Sequence, residues 1–396
     1  MLNADLLSLA RVAVASLMPG REVLVVAPLG SGHINDTLLV TFAAGLPRQA
    51  VLQRLNQAVF PAPEQIMANL TVLAEHLEAR LSQEPLGGAD PRMVVRPLGG
   101  SAGQCYHRTP NGDFWRLLSY VAAAEPKEAL ASPEMAREVG RGLGTFHRLT
   151  ADLDPSRLAD TLPGFHVTPA YLARYDRLAA ARRIGAELPG EAQCREVIAT
   201  HRELAGVLED AAARGRIHPR VIHGDPRLAN FLFDRESGRV AALVDLDTVK
   251  PGLLHYDLGD FLRSCSNPVG DDPVGLHAVH FDLNICGELL GGYLAEAGAT
   301  LGAADYELIY PAVRLLALEL GLRFFSDHLA GDVYFKTERP GQNLHRAMGQ
   351  FRLLASIEAQ EVEIRAIVAG GTAAPGPINA PRGCPRKPVG QRVAGV

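Results

Sequence analysis

Paired sulfur, aromatic mass and an excess of one charge are all scarce in this sequence. Its 5 cysteines (Cys105, Cys194, Cys265, Cys286, Cys384) are odd in number and widely spaced, with no Cys-x-x-Cys pair and no histidine at zinc-ligand spacing. A disulfide framework and a zinc centre are not expected, and the cysteines read mainly as small buried hydrophobes in a reducing compartment. No run approaches the roughly 18 consecutive apolar residues of a membrane span. At the N-terminus Asp5 and Arg11 interrupt the short apolar stretch where a leader would be apolar. The 39 basic and 44 acidic side chains give a net charge of -5 without long runs of either sign, so there is no basic footprint for nucleic acid. These absences lead to the expectation of a soluble, cytoplasmic protein with neither a nucleic-acid nor a membrane partner. What is present agrees: 396 residues, 47% hydrophobic, suffice for one large or two medium domains with a sizeable core.

One stretch organises the rest: Val221-Ile222-His223-Gly224-Asp225-Pro226-Arg227-Leu228-Ala229-Asn230-Phe231-Leu232-Phe233, with Asp245 fifteen residues after Asn230. His-x-Asp with an Asn five residues after the Asp is the pattern of a phosphoryl-transfer loop, in which the Asp orients an attacking hydroxyl and the Asn holds a metal. Val221-Ile222 feeds the loop and Phe231-Leu232-Phe233 leaves it as a short buried strand, so the polar residues are pinned between rigid elements. After the polar turn Glu236-Ser237-Gly238-Arg239, the strand Val240–Val244 returns and delivers Asp245 and Asp247. The hairpin brings Asn230 and Asp245 to one edge, two oxygen donors for a hard cation that bridges nucleotide phosphates, with Mg²⁺ the natural candidate. Asp247 reads equally as a ligand or as a turn residue.

In chain order, residues 4–17 have helical apolar spacing, and Val23–Val26 and Thr37–Phe42 read as strands. They are joined through a glycine-rich connection, Leu29-Gly30-Ser31-Gly32-His33-Ile34-Asn35-Asp36. Taken alone this is an ordinary hairpin turn; ahead of a phosphoryl-transfer loop it becomes a phosphate cradle of backbone N–H groups. In the third strand, Ala50–Leu55, kinases end Val-Ala-Ile-Lys, whereas this chain reads Val51-Leu52-Gln53-Arg54. Arg54 is either a bidentate phosphate ligand or a surface side chain on an edge strand, with Glu64 or Glu75 as a partner. A helix over 63–80 and strands at Met93–Arg96 and Phe114–Leu118 complete a small-sheet region, and Ser119–Ala124 connects it to a mainly helical one. There helices are expected at about 133–149, 169–183, 191–214, from 256, 276–297 and 304–330, with Asp257 and Asp260 as capping or loop-bracing groups. From 369 onward the Gly, Ala and Pro content and unopposed arginines predict a disordered tail.

With these residues in place, the chain resembles the aminoglycoside phosphotransferase and choline kinase-like small-molecule kinases. Gly32–Thr37, Val51–Asn56, Val244–Gly252, Leu320–Phe325 and Gly331–Lys336 look like the N-acetylhexosamine 1-kinase branch. The resemblance implies an α+β, bilobal, protein-kinase-like fold with a small, mainly antiparallel β N-lobe (1–120) and a larger, mainly helical C-lobe (121–368). It implies ATP and Mg²⁺ as cofactors and phosphorylation of the anomeric hydroxyl of N-acetylglucosamine or N-acetylgalactosamine. By motif, Asp225 is the catalytic base and also meets the substrate, Asn230 and Asp245 hold the metal, and Gly30, Ser31 and Gly32 face the phosphates. His33, Arg323 and Tyr334 resemble sugar-contacting positions. Residue chemistry alone leaves each of these three a packing or capping alternative. Other members of the family act on antibiotics, amines and amino-acid alcohols, so a different alcohol acceptor stands beside the sugar, as does a nucleotide-binding protein without turnover.

Overall fold

Strand alternation builds the first layer. The computed structural model describes residues 4–30, 34–84, 89–100, 105–181 and 188–370. Helix α1 (Ala4–Leu17) is followed by β1 (Val23–Pro28), β2 (Asp36–Phe42) and β3 (Gln49–Leu55), then α2 (Pro63–Leu81), β4 (Pro97–Leu98), β5 (Tyr106–Arg108) and β6 (Phe114–Ser119). All pairings are antiparallel, in the order β1-β2-β3-β6-β4, with β5 also on β6. Because side chains alternate across a strand, β3 and β6 send different residues to the two faces. Ala50, Leu52, Trp115 and Leu117 pack with Leu38, Val40 and Phe42 beneath Ala10, Ala13, Val14 and Leu17 of α1. Leu55, Phe114 and Leu118 face the other way, into a core shared with α2 and the helical lobe. Asp90 caps a 3-10 turn at Pro91–Met93, accepting from Arg92 N, so the strand expected at Met93–Arg96 is displaced to the short β4.

β7 (Ala124–Pro126) crosses to the second lobe and pairs with β9. That lobe runs α3 (Pro133–Leu149), α4 (Thr168–Ala181), α5 (Glu191–Thr200), α6 (Val207–Ala213), β8 (Arg220–Ile222), β9 (Phe231–Asp234), β10 (Val240–Leu243), β11 (Lys250–Gly252), α7 (Leu254–Cys265), α8 (Leu283–Ala297), α9 (Ala303–Leu329), α10 (Gln342–Glu358) and α11 (Glu361–Gly370). This is the bilobal α+β architecture. The helix expected over 191–214 breaks at a 3-10 segment, Arg202–Gly206, and α8 starts only where Asp282 accepts from Asn284 N and Ile285 N. α10 and α11 have no counterpart in the sequence reading. Close helix contact relies on missing side chains: a Cβ on Gly140 would sit 2.0 Å from Leu289 O of α8. α9, 27 residues long and buried over most of its length, puts Glu319, Arg323 and Asp327 at four-residue spacing on one face.

Cys105, Cys194, Cys265 and Cys286 are free thiols, and among the described residues no helix is long and apolar enough to cross a membrane. Ser31, Gly32, His33, Cys384 and the tail from 371 lie outside the described residues. The boundary expected at 369 falls inside α11.

Candidate active site

The loop between β8 and β9 is held by hydrogen bonds from below. Gly224 has φ +86, and a Cβ there would meet Thr248 O at 2.7 Å, so only glycine fits. Asp257, in the first turn of α7, is fully buried and accepts from His223 N at 2.6 Å, Gly224 N at 2.7 Å and His147 Nε2 at 2.9 Å. Burial pushes its carboxyl up, but the hydrogen bond and charge of His147 outweigh this and hold it below the usual range. His223 accepts the Asp225 N–H on Nδ1 at 3.2 Å and donates from Nε2 to Val244 O at 3.0 Å. Those roles require a neutral ring, in keeping with the downward shift that burial imposes on it. The ring thereby ties the backbone of Asp225 to the end of the strand that delivers Asp245.

Three predicted residues meet here. Asn230 Nδ2 donates to Asp225 O at 2.7 Å, which leaves the amide oxygen as its acceptor face, and Val244 N donates to Asn230 O at 2.9 Å. Asp245 takes a left-handed backbone, φ 62, and is exposed in the cleft. Loss of hydration among surrounding protein atoms, with the charges of Asp247 and Asp225, pushes its carboxyl up to about 7. An amide oxygen and a carboxylate with two further carboxylates close by suit a hard divalent cation that takes its other ligands from phosphates and water. Asp225 itself is gripped by Arg227, Nε to Oδ1 at 2.6 Å and Nη2 to Oδ2 at 2.7 Å. Arg227 lies inside the motif and was passed over in the sequence.

The sheet side differs from expectation. Gly30 ends the β1 arm with φ +72, while Ser31, Gly32 and His33 lie outside the described residues. Arg54 is on the α1 face, over the Trp115 ring at 5.9 Å, and its partners are Asp36 at 2.6 Å and Asp113 at 3.7 Å, neither Glu64 nor Glu75. Glu64 pairs instead with Arg108. The alternation that turns Leu52 toward α1 turns Arg54 the same way, so Gln53 is the residue of β3 that faces the cleft. Directly opposite Gln53 in β6 stands Arg116, which is 1% exposed and ion-paired to the equally buried Asp247. Asp247 also accepts from Asn35 Nδ2 at 2.9 Å. The turn residue of the hairpin is thus a junction between lobes. A single arginine inside the apolar strand Phe114-Trp115-Arg116-Leu117-Leu118 was the sequence signal for it.

On the opposite wall, His166 has acceptors on both ring nitrogens: Glu319 Oε1 at 2.9 Å from Nδ1 and Gly224 O at 3.0 Å from Nε2. Two acceptors require two N–H donors, hence an imidazolium. Burial opposes the charge, but Glu319 outweighs it and raises the pKa. Glu319 also accepts from Thr168 Oγ1 at 2.7 Å and lies 3.7 Å from Arg323. The Arg323 guanidinium sits against Phe165, Tyr171 and Phe335 at 5.2, 5.1 and 5.7 Å from their ring centroids. Tyr334 is 56% exposed beside it, on a turn whose Val333, Tyr334 and Phe335 amides all donate to Asp327 at 2.9 to 3.1 Å. Arg323 and Tyr334 therefore share one wall, linked to the catalytic loop through Glu319 and His166. No local pattern in the sequence announced His166 or Glu319.

Solved structures share this arrangement of elements at low identity. A microcompartment-associated aminopropanol kinase is 18% identical with a TM-score of 0.59, covering 90% of this chain and 98% of that one. A choline/ethanolamine kinase family protein from Mesorhizobium loti is 19% identical with a TM-score of 0.52, over 91% and 98%. A spectinomycin phosphotransferase in complex with ADP and spectinomycin is 10% identical with a TM-score of 0.53, over 92% and 99%. At such identities the likeness is one of fold. The sequence itself matches the phosphotransferase enzyme family (APH) over residues 25–305, a span holding the whole loop from His223 through Asp247. The chain belongs to the APH phosphotransferase enzyme family.

Proposed function

We propose that the chain transfers the γ-phosphoryl group of ATP to the anomeric hydroxyl of an N-acetylhexosamine, N-acetylglucosamine or N-acetylgalactosamine. The products are ADP and the sugar 1-phosphate. The nucleotide would lie between the sheet lobe, residues 1–120, and the helical lobe, residues 121–368. Phosphoryl transfer demands positioning and charge neutralisation more than covalent chemistry. Asn230 and Asp245 would hold Mg²⁺, which would supply neutralisation of the phosphate oxygens. Gly30, Ser31 and Gly32 supply backbone donors to those oxygens. Asp225 accepts the proton of the attacking hydroxyl as the new O–P bond forms and the bond to the β-phosphate oxygen breaks. Arg227 now occupies both oxygens of Asp225, so an arriving phosphoryl group offers it a second anion and frees the base.

The observation that carries the choice of acceptor is the ring cluster around Arg323. Aromatic rings are what a cationic amino-alcohol head group requires, and here the chain's own guanidinium already fills them. What it leaves toward a substrate is a fork of N–H donors with the Tyr334 hydroxyl beside it, suited to sugar hydroxyls and an N-acetyl carbonyl, with His33 as a further polar contact. The test is ADP release with Mg-ATP across N-acetylglucosamine, N-acetylgalactosamine, glucose, choline, homoserine and an aminoglycoside, with phosphorus NMR of the product. Selective turnover of an N-acetylhexosamine to a C1 phosphate is expected. Turnover of another acceptor overturns the sugar, and ATP binding without turnover on any acceptor overturns catalysis.

A further inference from the structure

Enzymes of this reaction type draw one cation from the sheet to meet the nucleotide phosphates, and kinases place it as a lysine near the end of the third strand. In this chain that strand offers Gln53 to the cleft and turns Arg54 to the α1 face, where Asp36 occupies it. The neighbouring strand holds a buried cation instead. Arg116 lies in direct register with Gln53 and donates to Gln53 Oε1 from Nε at 3.0 Å and from Nη2 at 2.7 Å. Gln53 is itself oriented, since its Nε2 donates to Thr37 Oγ1 at 3.1 Å. Nη2 also meets Asp247 Oδ1, while Asp247 Oδ2 takes Asn35 and Asn35 Oδ1 takes the Asn56 amide at 3.0 Å. Asn35 and Thr37 belong to the segment leaving the glycine-rich connection, so the arginine is braced against both the phosphate side and the metal side of the cleft.

One part of the guanidinium is left over. Nη1 of Arg116 is buried and has no hydrogen-bond partner among the described residues. A buried charged donor without an acceptor is costly, and a fork with a free tine beside a metal loop matches a phosphate oxygen in charge and geometry. We propose that Arg116 of β6 is the nucleotide-phosphate cation of this enzyme, with Nη1 donating to a phosphate oxygen, and that Asp247 anchors the arginine and is not a metal ligand. The proposal rests on the nucleotide-binding reading above and goes beyond it in naming the strand and residue.

The experiment measures binding of Mg-ADP and of adenosine to the full chain by calorimetry, with a thermal melt of each variant as the folding control. Wild-type failure to bind Mg-ADP would sink the kinase reading itself, separately from this one. Arg116→Gln combined with Asp247→Asn removes both buried charges together, which spares the fold an unpaired ion. This double variant is expected to bind Mg-ADP about 10- to 100-fold more weakly, the loss of one charged hydrogen bond, with adenosine affinity unchanged. Gln53→Lys with Arg116→Gln moves the cation back to β3 beside Asp247 and is expected to regain most of that loss. Arg116→Lys keeps the charge without the fork, and it is expected to weaken Mg-ADP and leave adenosine alone. A double variant that melts normally and binds Mg-ADP as wild type does, or one that loses ADP and adenosine equally, reduces Arg116 to a structural ion pair and overturns the proposal. Should the double variant not fold, an Arg116→Lys variant that weakens Mg-ADP and adenosine equally overturns it by itself.

Discussion

Replacing Asp257 with alanine removes the group from which the catalytic loop hangs. Its carboxylate is the acceptor for three buried donors, His223 N, Gly224 N and His147 Nε2. Each buried donor left unmatched costs about 1–3 kcal/mol. The sum is tempered by relaxation to about 3–5 kcal/mol, the usual cost of breaking a buried charged pair. For a chain this long that corresponds to roughly 5 °C in Tm. Catalysis should suffer more than stability, because the two amides belong to the residues just before Asp225, and in the proposed base role a shift of about 1 Å costs about a hundredfold in kcat. Asp257→Asn should stand between: one oxygen still serves His223 N and His147, but its amide nitrogen faces the Gly224 N–H. The assay pairs a thermal melt of the full chain with initial rates of ADP release on the acceptor that wild type turns over. An alanine variant melting within about 1 °C of wild type and keeping kcat within about twofold would refute the bracing argument.

Four further outcomes follow from the same geometry. Asp225→Asn should lower kcat by about 10²–10⁴-fold with Mg-ADP affinity largely kept; near-normal turnover removes Asp225 from the base role. Because Asp245 is pushed up to about 7, protons compete with the cation below that pH. At low Mg²⁺ the rate should fall about tenfold per pH unit on the acid side, and added Mg²⁺ should move that limb to lower pH; a limb indifferent to Mg²⁺ refutes the ligand role. His166 has a folded pKa raised above its unfolded value, so its pairing with Glu319 stabilises fully below about pH 6.5 and is lost as pH rises through the folded value. His166→Gln should therefore lose less Tm than wild type between neutral and alkaline pH, and equal slopes would contradict the imidazolium. Arg323→Met should raise KM for the acceptor with KM for ATP unchanged, whereas a matched rise in both would return Arg323 to packing.

Local order was readable from the chain itself. The spacing of His223, Asp225 and Asn230, and the hairpin that carries Asp245, are set by hydrogen bonds and strand pairings among residues close in sequence, so the motif announces its own geometry. The same holds for α1, β2, β3, α2 and α3, whose apolar period matches their element type, with Ser132 capping α3. Asp257, too, was legible as a loop-bracing group, though not which loop it braces. The face that Arg54 serves was not legible for a physical reason: a strand's period of two decides which face a residue serves, and only the packing of α1 on one face shows which that is. α10 and α11 went unread.

Tertiary structure decided the rest. Arg116 and Asp247 stand 131 residues apart, Asn35 and Asp247 212 apart, and His166 and Glu319 153 apart. Polar contacts of this kind form because two distant groups lose water together, and no local pattern records that event. The sequence by itself determined the His223-x-Asp225 loop of the phosphotransferase family and the hairpin that sets Asn230 and Asp245 at its edge. The pairing of Arg116 with Asp247, and the rings packed around Arg323, were decided only when the sheet turned its faces and α9 laid Glu319, Arg323 and Asp327 along one of its own.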